Sequence, residues 1–127
     1  MKVSSFAIAV LSMNLVFATS AMAAETTDSV TGMVLDKCGK LPVTPTIPNG
    51  NTASEEDLVS AMKDVKSYQT KVMEYRACLD QIAVGLTAEE DQEKQTLLVS
   101  LHNRTVDDEQ ELGDLFNSSV RAFKGRK

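Results

Sequence analysis

Between Ser54 and Val84 the apolar residues hold helical register without a break. Leu58, Val65, Val72 and Leu79 recur every seven residues, and Ala61, Tyr68, Tyr75 and Ile82 fill the interleaved positions. This spacing predicts one long amphipathic helix with an apolar seam down one face. A lone helix cannot bury such a seam, so the remaining chain must supply a cover.

Thr52-Ala-Ser-Glu55 matches a capping box, and Glu55, Glu56 and Asp57 suit the positive end of a helix dipole, which sets helix one at 54–84. Gly85 is placed to take the left-handed conformation that closes a helix. Leu86 then leads into Thr87-Ala-Glu-Glu90, a second capping box that opens helix two at 87–123. So short a connection implies an antiparallel hairpin. Leu97, Leu98, Leu101, Leu112, Leu115, Phe116, Val120 and Phe123 give helix two its apolar face. The face is interrupted from Thr105 to Glu111, and Gly113 weakens the region by about 1 kcal/mol relative to alanine. A kink, fraying or an overhang is expected there.

At the other end, Lys2 precedes an apolar run from Phe6 to Ala18 and the small-x-small pattern Ala21-Met22-Ala23. This reads as a signal peptide over 1–23, cleaved after Ala23 for export to the periplasm, and the run is too short for a stable membrane anchor. Residues 24–37 read as a loose segment, with Val30 to Leu35 as a short strand or irregular apolar patch lacking a partner. The folded domain is then 38–127.

Both cysteines, Cys38 and Cys78, lie in the exported part, where an oxidising compartment favours their pairing. Between Cys38 and Asn51, Pro42, Pro45 and Pro48 recur every third residue before the turn signal Asn49-Gly50, which predicts an extended polyproline II strand. Going back twelve steps from Gly50 to Cys38 covers about 37 Å at the polyproline rise. Ser54 to Cys78 covers about 36 Å along a helix. The cysteines therefore meet if the strand runs antiparallel down helix one, with Pro42 and Pro45 beside Tyr68 and Tyr75. The fold so predicted is all-α, a disulfide-stapled antiparallel two-helix hairpin with a polyproline-type strand on helix one. A hairpin this small leaves apolar surface that dimerisation to a four-helix bundle would bury.

Cys38, the three prolines, Gly50, Ala53, Ala61-Met62, Val65, Tyr68 and then Tyr75-Arg-Ala-Cys78-Leu79 form a composite pattern over 38–85. It resembles a group of small exported proteobacterial helical-hairpin proteins with a Cys/Pro-rich lead-in and a Tyr-x-x-Cys-Leu helix end. The resemblance implies fold and compartment, and it carries over no catalytic residues.

The chemistry of sites points away from catalysis. His102 is the one imidazole, read as a solvated surface residue, and the acidic clusters each belong to a helix start or a charged face. Neither a metal nor another cofactor is expected, and Met62 and Met73 read as core filler. Asp and Glu number 18 against 13 Lys and Arg, one of which is Lys2 in the leader, which argues against a nucleic-acid partner. Arg121 and Lys124 in the basic tail complement the C-terminal dipole or contact an acidic partner. The function expected is that of a non-enzymatic periplasmic interaction or structural protein, binding a protein partner or itself. The alternatives are an inhibitor or immunity-type protein of a cell-wall enzyme, with Asp107 and Asp108 as contacts, and a small-ligand or cofactor carrier.

Overall fold

The computed structural model describes residues 21–126, and the expected leader lies outside them except for its last three residues. Every regular element among the described residues is helical: α1 Ala21–Cys38, α2 Glu55–Val84, a 3₁₀ turn Glu89–Asp91 and α3 Gln92–Gly125. None of these helices is long and apolar enough to cross a membrane.

The heptad pattern predicts α2 closely. Its buried residues are Leu58, Ala61, Tyr68, Val72, Tyr75, Leu79 and Ile82, all on the expected seam, with Val65 half-buried beside them. Ser54 is the N-cap, but its partner is Asp57 rather than a glutamate. The Asp57 amide donates to Ser54 Oγ at 3.1 Å, and the Ser54 amide donates to Asp57 Oδ2 at 2.8 Å. These bonds hold the Asp57 carboxyl below its usual range.

The end of α2 differs from expectation. Gly85 stays right-handed at φ −81°, because the last turn tightens into i→i+3 bonds from Gly85 to Ile82 and from Leu86 to Ala83. Thr87 does not form a capping box either: Ala88 precedes the 3₁₀ turn with no side-chain cap, and α3 begins only at Gln92. Instead, Asp91 pairs with Lys94 at 2.9 Å and the Gln95 amide reaches the Leu86 carbonyl.

Two corrections concern larger pieces. Residues 24–37, expected to be loose or a strand, belong to α1, because the groove of the other helices offers cover that a lone strand could not find. Val30 and Val34 pack there among Tyr75, Leu79, Ile82 and Leu98. Gly39, at φ +74°, closes α1 with its amide on the Leu35 carbonyl, a conformation that favours glycine. The second correction is that α3 runs unbroken through the expected kink. Its buried residues are Leu98, Thr105, Leu112 and Ser119, a seven-residue repeat in which hydroxyl side chains alternate with leucine.

Thr105 can occupy a seam position because α2 brings it a partner. Arg76 Nε donates to Thr105 Oγ1 at 2.7 Å, while the Thr105 hydroxyl donates to the His102 carbonyl at 2.6 Å. Arg76 Nη2 reaches Glu109 Oε2, also at 2.7 Å. This polar layer lies between two apolar clusters, one around Leu79 and Leu98 and the other formed by Tyr68, Val72 and Leu112. Later α3 residues thus meet earlier α2 residues.

Candidate interaction face

The two surfaces of the α2–α3 pair have different fates. One is covered by α1 and then by the chain from Cys38 to Ala53. Cys38 and Cys78 are bonded, with Cα atoms 5.7 Å apart. Pro42 borders a hollow with Tyr75, Lys71 and Cys78, close to its expected place. Pro45 departs from expectation: it sits beside Asp108, Leu112 and Leu115 of α3, not against a tyrosine of α2. Ile47 is the residue that packs on Tyr68, Val72 and Leu112. The segment follows the groove between both helices, which buries more apolar surface than one helix could offer.

The segment ends in a close docking on α3. Ser119 Oγ donates to the Pro48 carbonyl at 2.5 Å. Gly50 is buried so tightly that an added Cβ would lie 1.8 Å from the Ser119 carbonyl oxygen. Arg126 donates to the Asn51 carbonyl at 2.8 Å and also to that of Ala53, with its guanidinium over the Phe123 ring at 4.7 Å. Both tyrosines are core residues beneath this cover. Burial pushes the Tyr75 phenol up; for Tyr68 burial acts first, reinforced by the Asp108 and Glu109 carboxylates. Arg121 and Lys124 are exposed, Arg121 donating to Ser118 Oγ at 3.0 Å.

The opposite surface carries no cover among the described residues. At about 100° per residue, Met62, Met73, Arg76 and Asp80 fall within an arc of about 60° on α2. Gln95, Val99, His102, Val106 and Glu109 fall within about 80° on α3. Met73 is 66% exposed and Met62 39%, so the methionines are surface residues rather than core filler. Val99 and Val106 are 57% and 41% exposed. Towards the turn this face sinks into a hollow of about 430 Å³, floored by Leu79, Ala83 and Leu98. Asp80 and His102 border it, with Nδ1 of the imidazole 3.9 Å from the carboxylate.

The sequence reading missed Arg76, Thr105, Ser119 and Arg126. The seven-residue spacing of Thr105 and Ser119 from Leu98 and Leu112 is the signal that could have found two of them. Among the described residues, no group of three or more His, Cys, Asp or Glu side chains is placed to hold a metal ion. Comparison with protein-family models, curated proteins and solved structures gives no match.

Proposed function

We infer that this chain is an exported, non-enzymatic interaction protein, and that the uncovered α2–α3 face is what it presents to a partner. One observation carries the reading: one side of the helix pair is sealed by a stapled cover, while the other leaves Met62, Met73, Val99 and Val106 in solvent. Methionine and valine on a two-helix surface suit apolar contact with another helical surface. The reading includes an antiparallel α2–α3 hairpin, a polyproline II path for 41–48, periplasmic residence after cleavage at Ala23, and kinship with the exported hairpin proteins that 38–85 resembles. Self-association is one way of covering the face.

The test is photocrosslinking in the exporting cell. A photoreactive residue at Met62, Met73 or Val99 is expected to give a discrete protein adduct, and one at Lys40 or Val43, in the covering segment, is not. Adducts absent at every face position, or equal in yield at the controls, would refute the reading. The inhibitor alternative draws on a shallow depression along α3 bordered by Asp107, Glu111 and Asp114. It predicts adducts there instead, to an enzyme with a basic cleft.

A further inference from the structure

We propose that the uncovered face is occupied by a second copy of this chain, docked about a two-fold axis perpendicular to the helices so that the copies run antiparallel. The inference rests on the face being a docking face, as argued above. Three observations favour this occupant.

The first is extent. α2 has 30 residues and therefore spans about 45 Å, and two adjacent helices present a strip roughly 18 Å wide. The strip amounts to about 800 Å² per copy, the size at which specific protein interfaces become stable.

The second is shape. At its turn end the face has the hollow floored by Leu79, Ala83 and Leu98. Towards its other end stand exposed Met62 and, on α3, half-buried Phe116 and Val120. A two-fold interface pairs residue i with j and j with i. An axis midway between Met62 and the hollow brings each copy's Met62 over the other's hollow, two identical contacts from one operation. A parallel arrangement sets Met62 end against Met62 end and leaves both hollows unfilled.

The third is charge. The face is not a single-sign field that would repel its own image: Arg76 is matched by Glu109, and Asp80 lies near His102. The axis falls beside Met73, and on the same face Gly113 leaves α3 without a side chain, with open space where a Cβ would stand. Flexible methionine side chains near the axis can fill what such a notch leaves.

The experiment uses the oxidised chain from Ala24 to Lys127, in sedimentation velocity across a dilution series. The expected result is a reversible dimer. Met73→Glu sets two carboxylates across the axis and should weaken the dimer at least about thirtyfold, the loss typical of a central contact. Its helical circular dichroism should stay intact, because Met73 is a surface residue in the monomer. Val43→Glu, on the covered side, should leave dimerisation unchanged. Orientation is read with a maleimide crosslinker. Met62→Cys chains mixed with Val99→Cys chains should crosslink to each other, and Met62→Cys alone should not. A monomer at every concentration, a dimer indifferent to Met73→Glu, or efficient Met62–Met62 crosslinking overturns the proposal. A monomer whose face photocrosslinks to a different protein overturns the second-copy inference and leaves the interaction reading standing. No adduct of any kind at the face removes both.

Discussion

Replacing Gly50 with alanine places a methyl carbon 1.8 Å from the Ser119 carbonyl oxygen, 2.7 Å from the carbonyl carbon and 3.0 Å from Ala122 Cβ. The obstructing atoms belong to the backbone of α3 and cannot swing aside as a side-chain tip would. Relief therefore requires the turn at 49–52 to lift by more than about 1 Å, an overpacking strain of roughly 1–3 kcal/mol. The movement also stretches the Ser119–Pro48 hydrogen bond, worth about 1 kcal/mol. The expected loss is about 2–4 kcal/mol, a Tm lower by roughly 8–30 °C for a domain of this size. Gly113→Ala supplies the internal control. It is the same chemical change inside α3, where a Cβ meets nothing within 4 Å, so helix propensity should raise stability by about 0.4–1 kcal/mol. Urea titrations of both variants at equal protein concentration measure the difference. A Gly50→Ala protein as stable as the parent would show that the turn does not rest on α3, and the docking of the whole proline segment would have to be redrawn.

Reducing the Cys38–Cys78 bond should cost about 4 kcal/mol, since the residues are 40 apart in sequence, and thermal melts with and without a phosphine reductant measure it. The Arg76→Met/Glu109→Met double variant should lose less stability than the two single changes added together, because each single change strands its partner's half-buried charge. A double-mutant cycle should return a coupling of about 1–2 kcal/mol, and a coupling near zero would mean the pair is solvent-screened. Tyr68 and Tyr75 are both raised above the ordinary value of 10.0, so the folded state holds their protons more tightly than the unfolded chain. Their contribution is complete below pH 10 and is lost as pH rises beyond it. Tyrosinate absorbance should appear together with unfolding, and titration at the ordinary value in a folded protein would contradict their burial.

Much of α2 was legible because its seam repeats at one period over its whole length, and period is what a sequence displays directly. The disulfide was legible because the only two cysteines, Cys38 and Cys78, both lie in the part of the chain read as exported, which leaves a single intramolecular pairing. What failed was local chemistry whose outcome depends on a distant partner. Thr105 to Glu111 looked like a gap in an apolar face, yet Arg76 from α2 turns Thr105 and Glu109 into contacts. Val30 to Leu35 carried a weak strand signal that the α2–α3 groove overrides by offering Leu79 and Leu98 to a helix. The left-handed conformation expected of Gly85 is taken up by Gly39 instead, because the tight bonds at 82–86 leave no room for a left-handed residue while the end of α1 requires one. Met62 and Met73 misled for a further reason. Composition identifies an apolar residue but not whether anything covers it.

The cover of the helix pair lies entirely N-terminal to what it covers. A chain emerging N-terminus first therefore releases α1 and the proline segment before any groove exists to receive them, and Val30, Val34 and Ile47 have to wait in solvent. Cys38 likewise waits for forty residues to follow before its partner arrives, and the Gly50 turn waits for Ser119. The cover can close fully only once α3 has followed α2. Cys78 lies on α2, so the disulfide needs only the chain as far as residue 78, and the bond can tether the segment to α2 before the groove it fills is complete.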